Sequence, residues 1–403
     1  MEVKPGYRQT EIGVIPEHWE VTPVNRIGTP VRGGSPRPAG DPRYFNGSHI
    51  PWLTVAALTN IPASQLVVSD TATRLTEEGS RHSRTLTAGT LIIANSGATL
   101  GVAKVLGIAC CANDGIAALL NLSRRVSPRY LAHFINTKTS YLRDIVATGN
   151  GQPNLNTTLI GNFKIPLPPT KAEQDAIAEA LSDADALVES LEQLIVKKRR
   201  LKQGAMHELL TGKKRLPGFR GEWEVKPLEE LAEIVMGQSP SSAHYNYIGN
   251  GLPLIQGNAD ISDRQTIKRV FTTEVIKRGR SGDILMSVRA PVGEISRATF
   301  DVCLGRGVCA LRHSTDFLYH ALIAKEATWA TLSKGSTFDA VNSTDVRAFE
   351  VEIPTEESDQ SAIVDVLSDM DREIGALEAK LAKARQLKGG MMQQLLTGGI
   401  RLV

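Results

Sequence analysis

Long apolar runs are missing from this 403-residue chain. None approaches the ~18 consecutive apolar residues of a membrane span, and no apolar segment follows Met1, so a cytoplasmic protein is expected. Cysteine is scarce. Cys110, Cys111, Cys303 and Cys309 form no CxxC pair and have no neighbouring histidine set, which argues against zinc or a disulfide framework and predicts buried thiols. The usual catalytic signatures are missing as well: GxxxxGK[ST], GxSxG, HExxH, and the Asn-Pro-Pro-aromatic or Pro-Cys motifs of base methyltransferases. Gly305–Gly307 supplies a GxG without the third glycine that a phosphate loop needs. No catalytic residue, metal or resident cofactor is expected.

Net charge is also small, at +3, but it is unevenly placed: residues 1–170 hold 16 Lys/Arg against 10 Asp/Glu. In the second half, bases gather in Arg264–Arg289. Such a bias hints at a polyanion and does not by itself establish one.

An internal repeat is the strongest signal present. Gln174–Leu216 and Gln360–Leu402 align without a gap, with 21 of 43 positions identical, and both contain LLTG (Leu209–Gly212, Leu395–Gly398). The correspondence extends outward. HWEV (His18–Val21) answers EWEV (Glu222–Val225), Gly33–Pro36 answers Gly237–Pro240, Ile50–Thr54 answers Leu252–Gln256, and Ala88–Gly101 answers Ser281–Gly293. The expected layout is globular unit (1–168), helix (169–216), globular unit (217–355), helix (356–403). Short β-branched runs broken by Gly, Pro, Asn and Asp make the globular units β-rich, each with a helix or two, such as Pro128–Thr139 and Asp316–Thr331.

Apolar residues in the first repeat recur at Ile177, Leu181, Ala184, Val188, Leu191, Ile195, Ala205 and Leu209; Ile363, Leu367, Met370, Ile374, Leu377, Leu381, Ala384, Met391 and Leu395 answer in the second. This is a coiled-coil seam, on helices ~50–60 Å long. The first helix carries seven acids and one base over Lys171–Val196, then eight bases and one acid over Lys197–Leu216, and the second is acidic early and basic late. Antiparallel packing sets opposite charges together. The expected fold class is therefore α+β: two β-rich domains at opposite ends of an antiparallel pair of long helices, related by a pseudo-two-fold axis.

Polar loops occupy matching positions in the two units. VRGGSPRPAGDPRYF (Val31–Phe45) and VMGQSPSSAHYNY (Val235–Tyr247) share a Gly/Ser/Pro frame but differ in side chains. Arg and Gln make bidentate contacts to guanine and adenine edges, while Ser and Tyr reach phosphates. A shared frame with divergent tips suits two readers of different sequences. A coiled-coil scaffold with β-rich, protein-binding ends is the alternative these residues leave open.

TEIGVIPEHWEV (Thr10–Val21), Gln152–Asn156 followed by IPLPPTKAEQDAI (Ile165–Ile177), and LLTGKKRLPGF followed by GEW resemble the specificity (S) subunit of type I restriction-modification systems across essentially the whole chain. The resemblance implies a non-catalytic DNA reader, each target-recognition domain reading half of a split site and the helices fixing the gap. Double-stranded DNA, two methyltransferase subunits and motor-nuclease subunits are the implied partners, and S-adenosylmethionine, ATP and Mg are expected only in those subunits. The matching positions nominate Gly34, Ser35, Arg37, Arg43, Tyr44, Thr54, Ser96, Asn150, Gln152 and Asn154 for DNA contact in the first unit. Gln238, Ser239, Tyr245, Gln256, Asn258, Arg289 and Lys334 are nominated in the second.

Overall fold

Two helices of 39 residues each, Lys171–Leu209 and Glu357–Leu395, stand at the repeat offset and follow β-rich segments. The computed structural model describes residues 4–147, 153–333 and 340–402. Contacts divide it into two units, Met1–Leu194 with Leu377–Val403 and Ile195–Ala376. Each unit thus combines one β-rich region with half of each long helix.

The first unit holds two main sheets. One runs in the order Thr29–Arg32, Ile116–Leu120, Leu91–Ala94, Ala103–Leu106, Val67–Val68. The other runs Thr73–Leu75, Phe45–Leu53, Cys110–Ala112, Arg84–Leu86. Leu91–Ala94 and Ala103–Leu106 are buried on both faces, which accounts for their continuous apolar character. In the second unit Glu233–Met236, Val308–Arg312, Ile284–Ser287 and Ile295–Arg297 form the corresponding series, extended by two short strands. The register repeats: Cys111 lies opposite Trp52 in a parallel pair, and Cys303 lies opposite Leu254 in another. All four cysteines are buried and free, and burial pushes the Cys110 and Cys309 thiols up to about 12.

The predicted domain helices are shorter than expected. Pro128–Thr137 starts on the Ser127 cap, with proline in its first turn. The second unit's helix divides at Lys325 into Phe317–Ala324 and Glu326–Ser333.

Each β-rich region is joined to the long helices by repeated chemistry. The Gln174 amide donates to Pro168 O at 3.0 Å, and the Gln360 amide to Pro354 O at 2.8 Å. Trp19 and Trp223 lie against Gly398 and Gly212, the LLTG glycines, at φ +70° and +64°. A Cβ there would approach the indoles to 3.2 Å, so these sites suit glycine twice over. Ile177, Leu181, Leu395 and Leu396 join the first unit's core, and Leu209, Leu210, Ile363 and Leu367 the second's.

The seam is not purely apolar. Ala184 is only half-buried, while its neighbour Asp185 is 4% exposed and pairs with Lys388. Arg385 reaches Glu192 at 2.7 Å and Arg401 reaches Glu173 at 2.9 Å in the same unit. In the second unit Lys198 reaches Glu373 at 2.6 Å and Lys202 reaches Asp371 at 2.5 Å. No helix among the described residues is long and apolar enough to cross a membrane.

Candidate nucleic-acid interface

In each unit the nominated loops converge on one turn between two neighbouring strands. In the first unit this turn is Asn113–Gly115. Gly33 N donates to Ile116 O at 2.8 Å and Gly34 N to Ala112 O at 2.9 Å, tying the Gly-Gly-Ser loop to both flanks. The Ser35 hydroxyl donates to Asp114 Oδ1 at 2.7 Å and Arg37 lies 3.5 Å from Asp114 Oδ2. Arg32 donates twice to Asp114 O, at 3.1 and 2.9 Å. From the next strand, Asn95 N donates to Gly115 O at 3.0 Å, while Asn95 O accepts from Leu155 N at 2.8 Å. Asn113 N bonds Leu53 O at 3.0 Å. Gly34, Ser35, Arg37, Thr54, Ser96 and Asn154 therefore share one neighbourhood.

Their side chains are not equally available. Thr54 caps the helix Val55–Thr59 through Ala57 N, and Ser35 braces the turn. Arg43 and Tyr44 form a separate group on the same loop. Arg43 chelates Asp41 at 3.1 and 2.7 Å, and the Tyr44 ring lies 5.0 Å from His82. That bond to Asp41 holds the Arg43 pKa up and the Asp41 pKa down. Asn150 and Gln152 lie outside the described residues.

The second unit repeats the arrangement around Gly305–Gly307. Gly237 N donates to Val308 O at 3.0 Å, Gln238 N to Leu304 O at 2.9 Å, Arg306 N to the Ser239 hydroxyl at 3.1 Å and Val288 N to Gly307 O at 2.9 Å. Gln256 donates to the Tyr245 hydroxyl at 2.9 Å, and that hydroxyl donates to Pro240 O at 3.1 Å. Asn258, two residues on, bonds Glu294. Arg289, two residues past the strand Ile284–Ser287, pairs its backbone with Ala340. Gln238, Ser239, Tyr245, Gln256, Asn258 and Arg289 thus gather at one end of the sheets. Lys334 lies outside the described residues.

Asp114 and Arg306 were not singled out from sequence. The signal is in the sequence: NDG and GRG fall between matching strands, although GRG reads first as a phosphate loop short of its third glycine. Two buried histidines also answer one another, His133 and His320. Burial first, then Lys388 and Lys202 respectively, pushes both imidazoles down to about 4. No group of three or more His, Cys, Asp or Glu that could hold a metal occurs among the described residues.

This convergence of polar loops, repeated on a duplicated frame, meets a direct match. The profile of the type I restriction modification DNA specificity domain family covers residues 16–197 and 220–385. The chain belongs to that family. It is 28% identical over 420 aligned positions, spanning 98% of this chain and 97% of the other, to a protein named as the specificity subunit of type I restriction enzyme MjaX of Methanocaldococcus jannaschii. It is 26% identical over half its length to the StySPI specificity subunit of Salmonella potsdam. The fold resembles the HsdS subunit from Thermoanaerobacter tengcongensis, with TM-score 0.51 and 24% identity over 96% of this chain and 98% of that one. It also resembles the S subunit from M. genitalium, with TM-score 0.63 and 14% identity over 98% of each. The family assignment makes this a type I specificity subunit, acting in DNA sequence recognition.

Proposed function

We propose that the chain is the non-catalytic reader of a bipartite, asymmetric DNA site, with each unit reading one half-site. One observation carries this: the two units build the same backbone frame around one turn and place different polar side chains on it. A frame kept for geometry, with tips free to diverge, is what two half-sites of different sequence require.

The long helices act in this reading as an antiparallel spacer. The ion pairs within each unit support it, because partner numbers rise as the first helix's numbers fall: Glu192 with Arg385, Asp185 with Lys388, Glu173 with Arg401. In the second unit Lys198 with Glu373 and Lys202 with Asp371 follow the same order. Two methyltransferase subunits dock on the helices, where Leu187, Leu194, Val196, Leu201 and Leu387 are exposed. Those subunits bind S-adenosylmethionine and methylate adenine, and motor-nuclease subunits add ATP- and Mg-dependent restriction.

The test uses the purified full chain, duplex DNA and labelled S-adenosylmethionine. The chain alone transfers no label, whereas addition of the methyltransferase subunits gives adenine labelling and salt-dependent duplex binding. Labelling by the chain alone would make it an enzyme. Assembly with the subunits but no duplex binding would make it a protein scaffold.

A further inference from the structure

We infer that the turn at Asn113–Gly115 and Gly305–Gly307 is the specificity-determining tip of each unit, with Arg306 reading a guanine edge and Asp114 positioning Arg37. The inference deepens the half-site reading above and rests on it.

The backbone bonds at the two turns repeat residue for residue. Ser35 and Ser239 hydroxyls accept from Asp114 N and Arg306 N at 3.4 and 3.1 Å. Gly34 and Gln238 bond Ala112 O and Leu304 O, both at 2.9 Å. Asn95 and Val288 bond Gly115 O and Gly307 O at 3.0 and 2.9 Å. Glycine is required beside the tip. A Cβ on Gly307 would lie 2.0 Å from Gln256 O, and one on Gly115 would lie 2.9 Å from Ser96 Oγ. The third residue is glycine in both turns, the first changes from Asn113 to Gly305, and the central one changes from a carboxylate to a guanidinium.

Arg306 is exposed, and its side chain makes no hydrogen bond or ion pair among the described residues. Its turn is wedged against Gln256, and Gln238 is bonded to the strand just before it. A planar fork on a turn flanked by the backbones of Gln238 and Gln256 suits O6 and N7 of guanine in the major groove. The carboxylate at the same position of the first unit argues that this position faces bases: a position facing phosphate would repel it. Asp114 is committed internally, one oxygen accepting from Ser35 and the other 3.5 Å from Arg37. It therefore sets where the Arg37 fork points, while Arg37 itself is 77% exposed.

The test is a map of methylated adenines made by the complex of the full chain with its methyltransferase subunits. It compares wild type with Arg306→Ala, Arg306→Lys and Asp114→Ala, with thermal melting of each to check folding. Wild type gives a two-part motif; without one, the half-site reading and this inference fall together. Arg306→Ala and Arg306→Lys should each relax one base position of one half-site, by roughly ten- to hundred-fold in selectivity, and leave the other half-site intact. Asp114→Ala should relax only the other half-site. Given a wild-type motif, unchanged selectivity in folded variants overturns the inference alone. So does a uniform loss at every position that Arg306→Lys restores, because that is the behaviour of a phosphate contact.

Discussion

In the first unit Trp19 is 1% exposed beneath Gly398, whereas Trp223 in the second is only half-buried against Gly212. The ion pairs at the repeat offset differ in the same direction. Asp185 has a side chain 5% exposed against Lys388, while Asp371 is 49% exposed against Lys202. Lys104 explains part of this. It is 1% exposed, donates to Pro62 O and Gln65 O at 2.7 and 2.5 Å, and its charge, after that of Lys388, favours the ionised Asp185. Burial pushes its pKa down to about 8, and pushes that of Asp185 up. Duplication thus copies which residues meet, while the domain packed around them decides how much water they keep.

That difference can be measured. Asp185→Ala leaves Lys388 without its partner at a buried site and should cost about 3 kcal/mol in denaturant unfolding. Asp371→Ala, in an exposed pair, should cost at most about 1 kcal/mol. Equal costs would break the comparison.

Acid should instead affect the two units alike. The folded values of His133 and His320, about 4, lie below the ordinary imidazole value of 6.5, so the unfolded chain binds more protons between those limits. Their contribution to stability is present above pH ~6.5 and is lost toward pH 4, by about 1.4 kcal/mol per pH unit per site at most. His133→Gln should remove roughly half of that slope, read from unfolding free energies across the window.

Gly398→Ala places its Cβ 2.4 Å from Pro16 and 3.2 Å from Trp19, and Gly212→Ala meets Trp223 at 3.2 Å. With a positive φ at both, the first should cost about 2–3 kcal/mol and the second about 1 kcal/mol. Smallest of all, Arg385→Ala removes an exposed partner of Glu192 and should shift stability by under about 0.5 kcal/mol.

Much of the architecture was legible because a duplication exposes its own frame. The 186-residue offset marked both long helices, and the Gly-Ser-Pro loops marked where the polar loops gather in each unit. Burial along the seam was less legible. Periodicity places Ala184 and Asp185 within one step of each other, and only the tertiary partners Lys388 and Lys104 decide that the acid goes inside. The tip residues escaped for a related reason. Asp114 and Arg306 are opposite in charge, so side-chain similarity hides their equivalence, which lies in backbone bonds to Ser35 and Ser239. Likewise the capping role of Thr54, whose side chain accepts from Ala57 N, was not legible in the sequence.

The central claim is that one chain reads two separate half-sites. Its most direct test is a genome-wide map of methylated adenines in a host with and without this gene, the methyltransferase subunits being present in both. The account predicts that the gene adds one methylated motif, made of two unlike halves separated by a fixed gap of unread bases. No added motif, or a single uninterrupted one, would contradict it.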